Sequence, residues 1–140
     1  MPARVRSATK VDLIAGVPLF AGLSKSELGK VASIADEIDL PADKVLIREG
    51  ERGREFFVLL EGEADVARKG KKLVTRGAGE FFGEIALVSN LPRTATVKTR
   101  NPVRALVIRD VDFRALLQRT PAIAVKVLQA VADRLPADAV

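Results

Sequence analysis

The sequence predicts a mainly β domain with flanking helices: an antiparallel β-roll, jelly-roll-like and of the double-stranded β-helix kind, with an N-terminal helical piece and two C-terminal helices. Three observations predict it. Between Asp36 and Arg109 the apolar residues fall in short runs punctuated by Pro41, Gly50, Gly53, Gly62, Gly70, Gly77, Gly79 and Asn101-Pro102. That makes about seven or eight strand-length segments, the spacing of a sandwich or roll. Ahead of them Ser24-Lys25-Ser26-Glu27 spells a helix start, and behind them apolar residues return to helical spacing on both sides of Thr120-Pro121.

Taken in order, residues 1–9 are expected to form a flexible arm, residues 10–135 one domain and residues 136–140 a frayed tail. A short helical turn is expected over 10–15. VPLFAGL (17–23) is broken by Pro18 and Gly22 but leaves Leu19, Phe20 and Leu23 to bury. In the capping box that follows, Ser24 accepts from free amides and Glu27 reaches back, with Leu23 and Leu28 at the two staple positions. Leu28, Val31, Ala32 and Ala35 then repeat at helical spacing, which predicts a helix over 25–35. Strand segments are expected at 37–40, 44–48, 55–60, 64–68, 71–75, 93–99 and 103–109. Those containing FFVLL and VRALVI are apolar at nearly every position and are expected to be central. Asp110 or Asp112 can cap a helix carrying Phe113, Leu116 and Leu117. Thr120-Pro121 starts the last helix, since proline suits the first helical position. On that helix Lys126, Gln129 and Asp133 share one narrow face, leaving an apolar face too wide for a single contact.

Composition removes whole classes of chemistry. At 140 residues and 48% apolar, the chain has the makings of one folded domain. It contains no His and no Cys, so His- or thiolate-ligated metals, a Ser-His-Asp triad and a cysteine nucleophile are all excluded. No metal site and no cofactor are expected, because no run of acidic residues has the spacing of an all-oxygen calcium loop. No apolar run approaches the roughly 20 residues of a membrane span, so no direct membrane insertion is expected. The lack of Cys is compatible with a cytoplasmic location. The net charge of +5 raises nucleic acid as a partner, but the cations are scattered and there is no Tyr or Trp to stack on bases. The densest run, Arg68-Lys69-Gly70-Lys71-Lys72, reads as a solvated hairpin tip. Arg76-Gly77-Ala78-Gly79-Glu80 has the wrong spacing for a dinucleotide fingerprint. Glu61 and Glu63 beside Gly62 read as structural, not as an acid/base pair. No catalytic constellation is read, and the chain is not expected to be an enzyme.

One stretch remains, FFGEIALVSNLPRTATV (81–97). Gly83-Glu84 opens a short apolar run able to make one or two helical turns, whose start offers free N–H groups. Arg93 brings a planar fork that matches phosphate oxygens two at a time. Pro92 stiffens its approach and Ala95 removes bulk beside it. Glu84 can accept from a vicinal sugar hydroxyl. Amides, a carboxylate and a guanidinium within one loop suit a sugar phosphate.

The same stretch resembles the phosphate-binding cassette of the cyclic nucleotide-binding domain family, roughly F-G-E-[LI]-A-L, a turn, then P-R-x-A-[TS]-V. IREGERGREFFVLLEG (47–62) is similar to the family's strand-turn-strand, with Gly50, Gly53 and Gly62 matching and Arg54 standing where an acidic residue is common. The resemblance runs from about Val11 to Leu135 and is greatest to the domains of bacterial cyclic-nucleotide-gated potassium channels. It implies a cyclic nucleotide site of Gly83, Glu84, Ile85, Ala86, Arg93, Thr94 and Ala95. Arg93 would pair with the cyclic phosphate, and the amides of Ala86 and Thr94 would bond its oxygens. Glu84 would accept from the ribose 2′-hydroxyl, with Gly83 allowing close approach. The Thr94 hydroxyl would touch the phosphate or the 2-amino group of a syn guanine. The base would lie on Val66 or Leu73 beneath the last helix, with Leu128, Val131, Arg134 and Leu135 as lid candidates and Arg134 able to stack on the base instead.

The implied function is a sensor for cyclic AMP or cyclic GMP that repositions its C-terminal helices and acts on an effector protein or domain not named by the sequence. A homodimer stays open. The competing expectation is a degenerate domain of the same fold that serves as a protein-interaction scaffold; intact Gly83, Glu84 and Arg93 speak against it. A regulator of the catabolite-activator type would need a helix-turn-helix beyond Leu135, where few residues remain. The start at Met1 leans toward a stand-alone protein over a channel fragment.

Overall fold

The structure, a computed structural model, describes residues 9–134. Thr9 caps the first helix, α1 (Lys10–Ala15), through a box with Asp12: each residue's backbone N–H donates to the other's side-chain oxygen, at 3.2 and 3.0 Å. A 3-10 turn follows at Pro18–Phe20, then α2 (Lys25–Ile34). The box at Ser24 and Glu27 forms as expected, at 3.1 and 2.9 Å.

Eight strands come next: β1 (Ala35–Leu40), β2 (Val45–Ile47), β3 (Glu55–Glu61), β4 (Ala64–Arg68), β5 (Lys71–Arg76), β6 (Phe81–Phe82), β7 (Thr96–Thr99) and β8 (Val103–Arg109). α3 (Glu84–Ser89) lies between β6 and β7, while α4 (Asp110–Arg119) and α5 (Pro121–Asp133) end the described chain. The strands make two four-stranded antiparallel sheets, ordered β1-β8-β3-β6 and β2-β7-β4-β5. This is the roll the sequence predicts.

FFVLL and VRALVI are central because both of their faces are covered. With side chains alternating, Phe56, Val58, Leu106 and Ile108 point into a core shared with the helices, while Phe57, Leu59, Ala105 and Val107 point into the core between the sheets. Phe113 of α4 stacks on Phe56 at 4.4 Å between centroids, a contact of about 0.5–1.5 kcal/mol beyond area burial, and so seats α4 on β3. Ile123 and Val127 bury one stripe of α5 in the same core. Lys126, expected on the polar face, donates from Nζ to the carbonyls of Pro18 and Ala21, tying α5 to the N-terminal piece.

Several boundaries differ from the sequence reading. β1 starts at Ala35 directly off α2, because Ala35 already pairs with Ile108. Neither aspartate caps α4: Asp110 and Asp112 sit inside its first turn, the N-cap is Arg109, and the Asp110 N–H is taken by the Arg54 carbonyl at 2.8 Å. The strand expected from 93 begins at Thr96. Arg93 is held outside the ladder by the turn over the early fifties, its N–H donating to the Glu51 carbonyl (2.8 Å) and its carbonyl accepting from Gly50 (2.9 Å).

Candidate functional site

A cavity of about 290 Å³ opens between α3, the loop before β7, the β4–β5 hairpin and the end of α5. All seven cassette candidates, Gly83, Glu84, Ile85, Ala86, Arg93, Thr94 and Ala95, line it. Val66 and Leu73, expected under a base, also line it, together with Ile47, Val74 and Phe82, which the sequence reading missed.

The cassette is assembled around Arg93. This side chain is only 7% exposed, yet among the described residues it forms no ion pair: its Nη1 donates to the Gly83 carbonyl (2.8 Å) and its Nη2 to the Glu55 carbonyl (2.6 Å). Burial pushes its pKa down, opposed by the charges of Glu55 and Glu84. Carbonyl dipoles fix the guanidinium without pairing it, and the carboxylates of Glu55 and Glu84 act on it only at a distance. Glycines make the fit possible. Gly83 sits at φ 95°, in the left-handed region, and a Cβ there would lie 3.0 Å from Arg93 Nη1 and 3.0 Å from the Glu55 carbonyl oxygen. At Gly53 the reason is space: a Cβ would come within 2.7 Å of the Ala86 Cβ and 3.3 Å of the Arg93 guanidinium carbon. Gly83 is also the N-cap of α3 and supplies no side-chain cap, so the first-turn N–H groups remain for a ligand.

Glu84 is completely buried. Its Oε2 accepts from Arg134 Nη1 at 2.5 Å, and its Oε1 has no hydrogen-bond partner among the described residues. A buried carboxylate oxygen without a donor is costly, by roughly 1–3 kcal/mol or more, and marks a place where a donor is wanted. Arg134 also donates from Nη2 to the Phe81 carbonyl (2.6 Å), and its guanidinium lies 4.8 Å from the Phe81 ring centroid. The sequence reading named Arg134 but not this use of it: the partner is fifty positions away in the chain, beyond the reach of any spacing rule.

The other lid candidates sit elsewhere. Leu128 is 68% exposed and does not line the cavity, because the turn that buries Ile123 and Val127 rotates it outward. Val131 packs against the helix-side core. Leu135 lies outside the described residues. At the lid end the cavity is closed by Asp133 and Arg134. Arg68 and Arg76, unassigned from sequence, complete its charged wall; Arg68 donates from Nε to the Thr94 carbonyl at 2.8 Å and Arg76 pairs with Glu80 at 3.2 Å. Alternation along β4 and β5 was the available signal for both, since Arg68 follows Val66, and Arg76 follows Val74, by two residues. Among the described residues no group of three acidic side chains could hold a metal ion, and no helix is long and apolar enough to cross a membrane.

Comparison with known proteins adds independent findings. The sequence model of the family described as "Cyclic nucleotide-binding domain" matches residues 37–120. A cyclic nucleotide-gated potassium channel from Rhizobium etli is 38% identical over 123 residues, covering 88% of this chain and 34% of the channel. The chain spans about a third of the length of the curated bacterial relatives it matches. Among solved structures, cAMP-bound PfPKA-R superposes with a TM-score of 0.75 at 29% identity, over 87% of this chain and 46% of that one. The regulatory domain of Toxoplasma gondii PKA with cAMP gives 0.78 at 23% identity, over 88% and 49%, a likeness of fold.

Proposed function

The chain belongs to the cyclic nucleotide-binding domain family, and from that premise we propose that it is a sensor module that holds a cyclic nucleotide, cyclic AMP or cyclic GMP, in the cavity beside Arg93 and couples its occupancy to the position of the two C-terminal helices. The observation that carries this is the buried, carbonyl-held Arg93 guanidinium, which forms no ion pair among the described residues and faces a cavity of nucleotide size.

The geometry supports the following roles. The cyclic phosphate brings one negative charge to Arg93 and accepts from the free N–H groups at the start of α3 and at Thr94. The ribose 2′-hydroxyl donates to Glu84 Oε1, the oxygen that lacks a donor. The base lies on Val66, Leu73 and Val74. Glu84 then serves two masters, with Oε2 holding Arg134 at the end of α5 and Oε1 holding the sugar. A ligand shifts the helices only by its differential affinity for the two positions, and this shared carboxylate is a contact that supplies such a difference. The module performs no catalysis and needs no cofactor. It acts in the cytoplasm on an effector protein or domain, as a monomer or a homodimer. Thr94 offers its hydroxyl to either nucleotide.

Parallel calorimetric titrations of the full chain with cyclic AMP and cyclic GMP test the reading. Saturable binding of at least one, with shifts in the NMR signals of the cassette and α5, is expected. If neither ligand at millimolar concentration changes the melting temperature or the amide spectrum, the site is not a cyclic nucleotide site and the fold is serving as a scaffold.

A further inference from the structure

We propose that the tip of the β4–β5 hairpin is an electrostatic funnel that sets how fast an anionic ligand enters the cavity, with Arg68 as the residue that links tip to site; this rests on the cyclic nucleotide reading. β4 and β5 pair from Ala64 opposite Arg76 to Arg68 opposite Lys71. Along the hairpin, Val66 and Val74 form apolar wall, and then four cations occur in five residues. Arg68 belongs to both regions, since it lines the cavity and reaches the Thr94 carbonyl of the cassette.

The cations are placed against local preference. Arg68 and Lys71 stand directly across the ladder, where like charges destabilise a sheet. Lys69 adopts φ 52° ahead of Gly70 at φ 77°, the pattern of a tight hairpin turn whose first position favours Asn and disfavours a long side chain. The charges are cancelled only in part nearby. Of the acidic groups close by, Asp65 pairs with Lys72 at 3.7 Å and also faces Arg100. Glu49 accepts from the Lys69 backbone N–H rather than its ammonium. On the cavity wall Glu84 is engaged by Arg134, leaving Asp133 as the carboxylate at the opposite, lid end. Among the described residues Lys69 and Lys71 form no ion pair. A row of unpaired cations thus leads from solvent to Arg68, and from there the cavity leads to buried Arg93.

A cleft rim of one sign concentrates field lines and raises association rates. Rim charges act on the association rate and its salt dependence, whereas desolvated partners act on dissociation. The funnel therefore differs from Arg93 in which rate constant it controls.

Stopped-flow binding of a fluorescently labelled cyclic AMP to the full chain tests this. Arg68→Gln removes the charge but keeps a donor for Thr94. It is expected to slow association about threefold at low ionic strength, and the triple change of Arg68, Lys69 and Lys71 to Gln about tenfold. Both effects should vanish near 1 M salt, where the screening length falls to about 3 Å. The Lys69→Gln, Lys71→Gln pair, which leaves the cavity wall intact, should slow association while keeping the parent dissociation rate. Arg68→Lys should restore the rate, and Lys25→Gln, the same charge change on α2, should leave it unaltered. Association unchanged in the triple variant, slowed equally by Lys25→Gln, or a loss confined to dissociation overturns the funnel and leaves the tip a solvated turn. Failure of the parent chain to bind the probe at all overturns the cyclic nucleotide reading, and the funnel falls with it.

Discussion

Arg93 and Arg104 carry the same side chain into opposite electrostatic situations. Arg104, on β8, meets three carboxylates: Asp39 at 2.9 Å, Glu37 at 3.5 Å and Glu61 at 3.7 Å. Its pKa is raised, first by the hydrogen bond to Asp39. Arg93 is buried, bonds only to carbonyls among the described residues, and has its pKa pushed down by burial. One guanidinium is neutralised where it stands; the other is positioned and desolvated, with carboxylates acting on it only at a distance. Charge alone does not separate these two arginines. What separates them is whether the fold itself supplies a counter-charge in contact.

Substitutions can break this contrast. The largest effect is expected from Arg93→Ala, which should weaken cyclic nucleotide binding by about 2–5 kcal/mol, the usual cost of truncating a desolvated charge partner. Unchanged affinity by calorimetry would remove Arg93 from the phosphate role. Next comes Gly53→Ala, whose new Cβ meets the Ala86 Cβ at 2.7 Å and crowds Arg93. A loss of about 1–3 kcal/mol in binding is expected from such overpacking. Ala86→Gly in the same chain, compared with Ala86→Gly alone, should recover most of it, and no recovery would show that Gly53 acts elsewhere. The smallest effect on binding is expected from Arg104→Ala. It should cost about 1–3 kcal/mol in urea denaturation, because the side chain is only 12% exposed and hydrogen-bonded to a carboxylate, yet leave affinity within about twofold. A large fall in affinity there would erase the distinction between the two arginines.

Local signals made much of this legible in the sequence. The Ser24–Glu27 box, the runs FFVLL and VRALVI and the cassette residues all lie within one element or one loop, where spacing dictates geometry. What the sequence did not yield is long-range. The partners that hold Arg93 are the carbonyls of Gly83 and Glu55, and a carbonyl has no residue signature. The Glu84–Arg134 contact joins α3 to the end of α5. The register of α5 also escaped, because Leu128 and Val131 are as apolar as Ile123 and Val127, and only packing decides which pair is buried deepest. Residues 93–95 continue the alternation of β7, yet main-chain bonds to the turn over the early fifties remove them from the strand.

The pairing of Ala35 with Ile108 has a kinetic meaning. β1 docks on a strand that enters the chain only after the hairpins, α3 and the cassette loop have been made, so the helix-side sheet closes a very long loop. Closing such loops is slow, and contacts of this separation yield no gain until late in folding. The Glu55 carbonyl that seats Arg93 belongs to β3, which is itself pinned along β8 in that sheet. The cavity around Arg93 therefore depends on closure of the whole roll, and affinity for a ligand held there would report on that closure. Added nucleotide should accordingly raise the unfolding temperature of the whole domain in one cooperative step, by the mass-action relation between occupancy and stability.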